Sequence, residues 1–367
     1  MSAPKISVLV PLYNRKHYIA RCIDSLLDQA FQDFEIIICD DGSTDGSADF
    51  VEKRYLAENS ADDIDSEFIF DDDDEAAYFS AEGHHAKNYS DKIKLLRNKK
   101  NIGEFPTENK LLEAATGEYV MFLHSDDAYL PNALGYMYKV AKKFEADVVH
   151  SASRVQIAAN GVKKDAYHDK VRVEKTSVIA NDPLIRFREW TGAGTHVDAQ
   201  YNIFRRKFLT DNDISFVNLK NGLAGGNRFF LLKWIMKANV FVKTPKPFYI
   251  RYDTPDALSN VEFPPERVAT FISEHIKLFR QLDKFFAEDD FFKDKPDFQY
   301  NARAMMFYAM DSWFLKKRGT YKDGITPELN QAVEKSFKKY FGDDYALPTI
   351  LFHWAHSLIY KQPITIV

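Results

Sequence analysis

Two acidic clusters in this chain each follow a short apolar, β-branched run. Asp40-Asp41-Gly42-Ser43-Thr44-Asp45 follows FEIIIC (34–39), and His124-Ser125-Asp126-Asp127 follows YVMFL (119–123). A third polar cluster, Pro11-Leu12-Tyr13-Asn14-Arg15, follows ISVLV (6–10). Clustered carboxylates are hard oxygen donors and suit Mg²⁺ or Mn²⁺. They cannot cradle a phosphate directly, so a divalent cation must stand between them and a diphosphate. The glycine-based devices for phosphate are absent: there is no Gly-x-Gly-x-x-Gly and no Gly-x-x-x-x-Gly-Lys-Ser/Thr. Taken alone, Asp40-Asp41-Gly42 also reads as a plain turn in which an aspartate caps the next helix.

The elements that must position these clusters alternate. Runs at 6–10, 34–39, 93–96, 119–123 and 147–150 have the composition of buried strands. Helical spacing of apolar residues predicts helices over 18–30, 104–115 and 130–144. That alternation predicts an α/β fold: a mostly parallel sheet with right-handed crossovers and helices on both faces. Open parallel sheets bind ligands at the carboxyl ends of their strands, where all three clusters fall. An acidic insertion of about 57–90 breaks the rhythm, with eleven acids and no lysine or arginine from Glu58 to Glu82. Such a block repels itself and usually stays solvated or disordered; the alternative reading is a site for a metal or a basic partner. Further on, Asn160-Gly161 marks a hairpin, and 191–200 (TGAGTHVDAQ) is loop-like. A short helix is expected over 229–238. Pro245 and Pro247 predict edge strands at 240–243 and 247–252. After Pro264-Pro265 four helices are expected, over 266–286, 297–318, 327–340 and 347–360. The predicted domains are 1–262 and a C-terminal helical region, 263–367.

Composition narrows the class. The chain has 367 residues, 45% hydrophobic and 28% charged, so it has enough apolar sequence for a sizeable core. Two cysteines, Cys22 and Cys39, exclude a disulfide scaffold and fit a reducing compartment. A net charge of −5 gives no basic field for nucleic acid, which is excluded as a partner. No apolar run reaches the ~20 residues of a membrane span, and the N-terminus does not read as a signal peptide. A cytoplasmic protein is expected. The last helix, TILFHWAHSLIY (349–360), reads either as packing or as a peripheral contact with the inner face of a membrane; it has no lysine or arginine to grip anionic lipid.

The stretch SVLVPLYNRKHYIARCIDSLLDQAFQDFEIIICDDGSTDGS, followed by NIGEFPTENKLLEAATGEYVMFLHSDDAYLP, resembles the inverting nucleotide-sugar glycosyltransferases of family 2, which have the GT-A fold. The resemblance is close over 4–145, outside the acidic insertion, and looser to about 260. It implies that Pro11, Tyr13 and Arg15 line a nucleotide pocket, that Asp41 holds a uracil-type base, and that Asn98–Gly103, with Asn101, lies over the nucleotide. It implies further that Ser125 and Asp126 belong to the Asp-x-Asp region, Asp126 as a ligand of Mn²⁺ or Mg²⁺ with Asp127 in support.

Three positions depart from the family pattern. His124 replaces the motif's opening acid, and reads either as a histidine packed beneath the site or as a contact to metal or diphosphate. Glu108 stands where an arginine usually precedes Asn109. Gly226 and Asn227 stand where a Glu-Asp pair carries the acceptor's general base, and an amide cannot take that proton. His196 and Asp198, in a glycine-flanked loop, are the best substitutes for the base, because both can accept a proton; His196 reads equally as a loop histidine hydrogen-bonded to backbone. The expectation is therefore an inverting, metal-dependent transferase moving sugar from a UDP-type donor to a saccharide or lipid-linked saccharide. The alternative is a nucleotide-sugar-binding protein that has lost catalysis. A nucleotidyltransferase would need a glycine-rich loop after the first strand, and PLYNRKHY has no glycine.

Overall fold

The structure is a computed structural model that describes residues 3–57, 88–192, 194–219, 225–254 and 265–310. The chain divides into two compact units, Met1–Ser215 with Leu231–Pro255, and Phe216–Phe230 with Asp256–Val367.

In the first unit the elements run β1 (Ile6–Leu12), α1 (Ile19–Leu27), β2 (Phe34–Asp40), α2 (Ser47–Val51), β3 (Ile93–Arg97), α3 (Glu104–Ala114), β4 (Tyr119–Phe122), β5 (Ala128–Tyr129) and α4 (Ala133–Phe144). They continue through β6 (Val148–Ser151), β7 (Ser153–Ile157), β8 (Lys163–Tyr167), β9 (Ser177–Ile179), α5 (Pro183–Thr191), β10 (Asn202–Arg205) and α6 (Arg206–Asp211). Helix α7 (Gly225–Lys237), which belongs to the second unit as far as Phe230 and to the first from Leu231, precedes β11 (Phe241–Thr244) and β12 (Tyr249–Tyr252). An eight-stranded sheet has the order β3-β2-β1-β4-β10-β6-β11-β9, and a four-stranded sheet the order β5-β12-β7-β8.

The predicted strands and helices of the first 150 residues form with end shifts of a few residues. Val8, Leu9 and Val10 of β1 and Ile36, Ile37 and Ile38 of β2 are fully buried, as continuous apolar runs in a parallel sheet require. Helix α1 sends Ile19, Cys22, Ile23 and Leu26 into the same core, and α4 adds Leu134, Met137 and Ala141. Helix α4 starts at Ala133, later than its apolar spacing suggests, because Asn132 takes a left-handed conformation at φ 66°. Both cysteines are free and buried.

The expected edge strands are interior. Strand β11 lies between β6 and β9, and β12 between β5 and β7. Pro245 and Pro247 precede β12, so neither removes a donor from a ladder. The sheet is also less parallel than expected: β10 runs antiparallel to both β4 and β6, and β9 antiparallel to β11. Across the predicted insertion the flanks are tied, Tyr89 N donating to Tyr55 O at 2.8 Å; residues 58–87 lie outside the described residues.

In the second unit, α8 (Pro265–Glu288) and α9 (Pro296–Met310) match the first two C-terminal helices expected. Phe286 and Phe292 pack with ring centroids 4.8 Å apart. The two helices expected over 327–340 and 347–360 lie outside the described residues. Among the described residues no helix is long and apolar enough to cross a membrane.

Candidate active site

The strand order leaves a crevice where a ligand can enter the sheet. Strand β1 pairs with β2 along its whole length, Ile6 to Leu12, but with β4 only as far as Leu9 opposite Phe122. Beyond that point β1 and β4 part, and Pro11 needs no ladder partner on the β4 side. The chain leaves β1 toward β2 on one side and has β4 on the other, which is the switch point of an open α/β sheet. The Pro11–Arg15, Asp40–Asp45 and His124–Asp127 clusters all lie at this edge.

Arg15 and Asp126 meet across the crevice, with Arg15 Nε 3.4 Å from Asp126 Oδ2. Thr254 Oγ1 approaches the same oxygen at 3.5 Å. The Asp126 backbone is fixed from below: Arg21 donates to its carbonyl at 2.7 Å while lying 3.4 Å over the Tyr252 ring. Asp126 therefore presents a partly exposed carboxylate on a rigid backbone, a fitting donor for a hard cation. Asp127 is different. It is buried, accepting from Tyr249 Oη at 2.5 Å and from Tyr252 N at 2.9 Å. Burial, with the charge of Asp126 beside it, pushes its carboxyl up to about 6. Its visible task is to fasten the turn after β4 to β12.

Asp41 is also committed to the fold. It is 3% exposed and accepts from Asn98 Nδ2 at 2.8 Å, Ile102 N at 2.9 Å and Gly103 N at 2.9 Å. The two backbone donors, Ile102 N and Gly103 N, lie just before α3, so Asp41 ties the loop of residues 98–103 to the second cluster rather than capping the helix. Asp40 takes the turn, accepting from Ser43 N at 3.2 Å. Gly42 permits both: its φ is +71°, and a Cβ there would stand 2.7 Å from Lys100 C and 2.8 Å from Asn101 N. Asn101 is thus placed directly against the second cluster. Tyr13 is 44% exposed, and Ser125 is buried.

His196 and Asp198 come together, Nδ1 to Oδ2 at 3.5 Å, each side chain a quarter exposed. Burial lowers the His196 imidazole below its usual range, with Asp198 opposing. The loop that carries them is anchored from behind. Asp169 Oδ1 accepts from His196 N at 2.9 Å and meets His150 Nε2 at 3.0 Å, while Lys243 Nζ lies 2.6 Å from its other oxygen. Lys243 also reaches Glu189 at 3.2 Å. Burial alone would raise Asp169, but His150 and Lys243 outweigh it and hold the carboxyl well below its usual range. His150, His168 and Asp169 have metal-ligand spacing, yet both nitrogens of His150 are taken, by Asn202 at 2.9 Å and by Asp169. The Lys243 ammonium already supplies the positive charge, so this is a structural knot. Gly226 and Asn227 open α7, in the second unit.

Sequence reasoning missed Glu104 at the crevice and named Glu108 only as a departure from the family pattern. Glu104 and Glu108 lie one helical turn apart on α3, with His124 Nε2 3.7 Å from Glu104 Oε1. Glu108 is 2% exposed. Burial raises both carboxyls, Glu108 well above the ordinary range, and Asp198 adds to both shifts. The spacing of four on one helix face was the available signal. Asp169 and Lys243 carried none.

The fold is that of the GT-A type proteins. The crystal structure of Staphylococcus aureus TarS 1-349 in complex with UDP-GlcNAc superposes with a TM-score of 0.62 at 20% identity, over 97% of this chain and 88% of that one. The sequence profile of Glycosyl transferase family 2 matches residues 7–60 and 56–212, more than half of the chain, and the chain belongs to that family. Among curated relatives, the glycosyltransferase YibD of Escherichia coli is 24% identical over 77% of this chain and 71% of its own. The GalNAc(5)-diNAcBac-PP-undecaprenol beta-1,3-glucosyltransferase of Campylobacter jejuni is 32% identical over 40% of this chain and 37% of its own. Several curated relatives are spanned over little more than a third of their length.

Proposed function

We propose that the chain moves a sugar from a nucleotide-diphosphate sugar, of the UDP type, to a hydroxyl of a saccharide or lipid-linked saccharide, with inversion, in polysaccharide or glycoconjugate synthesis. The observation that carries this reading is the meeting of Arg15 and Asp126 where β1 and β4 part, an anion-binding cation beside a carboxylate suited to a divalent ion. The UDP-GlcNAc in the TarS structure and the lipid-linked acceptor in the name of the Campylobacter relative support the two substrate classes.

In this reading the nucleotide lies over Pro11, Tyr13 and Asn101. Asp41 has acceptor capacity left on Oδ2 for a base N–H, since among the described residues that oxygen accepts from Gly103 N alone. Arg15 steadies the diphosphate. Asp126 would hold a Mn²⁺ or Mg²⁺ ion, with Ser125 and Asp127 supporting its backbone, and such an ion offsets negative charge on a leaving diphosphate. His196 accepts the acceptor hydroxyl's proton and Asp198 steadies the resulting imidazolium. Lys243 and Asp169 keep the loop in place.

The test is product detection with a panel of nucleotide sugars in Mn²⁺ or Mg²⁺. Transfer, or slow donor hydrolysis, from one donor is expected. Metal-dependent UDP affinity with no turnover on any donor would instead establish the second reading, a nucleotide-sugar-binding protein, which the Gly226-Asn227 pair at the start of α7 favours. A cytoplasmic location, at most peripheral on a membrane, belongs to the same proposal.

A further inference from the structure

The geometry points to a second divalent-cation site, separate from Asp126, formed by Glu104, Glu108 and Nε2 of His124. One ligand atom from each of these side chains lies within 4.8 Å of the others. What separates them from an ordinary acidic surface cluster is Glu108. It is 2% exposed, and its buried Oε2 has no hydrogen-bond partner among the described residues. A buried carboxylate oxygen without a donor is costly, and a cation is one remedy. The His124 ring divides its two nitrogens: Nε2 faces Glu104 at 3.7 Å, and Nδ1 faces Asp127 at 3.9 Å. An ion on the Nε2 side therefore need not touch Asp126. Two carboxylates and an imidazole suit a first-row transition ion such as Mn²⁺ better than Mg²⁺, which prefers oxygen alone. Asp198 stands close enough to influence both glutamates, so an ion here also lowers the negative charge around the proposed base. The Lys243-filled knot at Asp169 shows the contrast: there the buried acid already has its cation.

The experiment titrates Mn²⁺ into the full chain without nucleotide or sugar and follows the free-ion signal by electron paramagnetic resonance. Wild-type protein is expected to bind an ion that Asp126→Asn retains and that Glu108→Gln weakens roughly tenfold or more. Glu104→Gln, at a side chain 29% exposed, is expected to do the same, and circular dichroism verifies that both variants fold. Any other pattern overturns the site: no binding, binding lost only in Asp126→Asn, or glutamine variants that bind like wild type. Since no donor is present, failure here leaves the transferase reading untouched, and a failed donor screen leaves this site untouched.

Discussion

Asp126 and Asp127 are sequence neighbours with opposite surroundings, and each has its own expected outcome. Asp126→Ala removes a partly exposed carboxylate whose backbone is held independently by Arg21, so the fold is expected to survive. UDP affinity in Mn²⁺ is expected to fall about ten- to a hundred-fold by calorimetry, the range for a lost charged contact, and transfer to fall at least as far. Unchanged affinity would falsify its role as the metal ligand. Asp127 bears on stability. Its folded value of about 6 lies above the ordinary ~3.9, so the folded state binds the proton more tightly than the unfolded chain. This group's contribution is fully present below about pH 4 and is lost as pH rises to about 6, by roughly 2–3 kcal/mol. Urea unfolding of Asp127→Asn is expected to lack that share of the slope. For His196, burial places the acidic limb of the rate profile below the reference value of ~6.5. His196→Ala is expected to remove the limb together with most of the rate, whereas near-wild-type turnover would dismiss His196 as the base.

Elements decide how tightly these residues are held. The turn after β2 and the loop of residues 98–103 that leads into α3 form one unit, because Asp41 accepts from Ile102 N and Gly103 N while Gly42 abuts Lys100 and Asn101. Gly42→Ala combines a left-handed φ with a backbone overlap and is expected to cost about 2–3 kcal/mol. Thermal unfolding reads the loss, and weaker UDP binding should accompany it if Asn101 contacts the nucleotide; wild-type stability would mean the two loops are not coupled. Much of this frame was legible in the chain, since strands buried on both faces give unbroken runs such as FEIIIC and their polar ends stand out. Antiparallel β10, only four residues long, was not legible, because its pairing with β4 and β6 depends on segments far away in sequence. Nor was the commitment of Asp41 and Asp127 to backbone donors. Composition shows that a carboxylate is present; only packing shows how much of it is already used. The unsatisfied oxygen of Glu108 is the same lesson in reverse.

At the scale of the molecule, the described residues on either side of the predicted acidic insertion are joined by the Tyr55 to Tyr89 hydrogen bond. Removing residues 60–85 is expected to leave the protein soluble, with a melting temperature within a few degrees of wild type and turnover largely retained. Insoluble expression or a large fall in turnover would give the segment a structural or acceptor role. The same deletion takes out ten acids and no lysine or arginine, moving the net charge from −5 to +5. Retention on a cation exchanger should rise accordingly. The knot at Asp169 has a different consequence, in the order of folding. It joins β6 through His150, the His196 loop and β11 through Lys243, segments that emerge far apart in time as the chain is made. The parallel strands β1 to β4 can collapse early, but the loop bearing His196 has no buried counter-charge behind it until β11 docks. Long-range closures of this kind form late, so a refolding chain should protect the β1 and β2 amides from hydrogen exchange well before the amide of His196. The protein would then pass through a stage in which the nucleotide crevice exists and the loop proposed to deprotonate the acceptor does not.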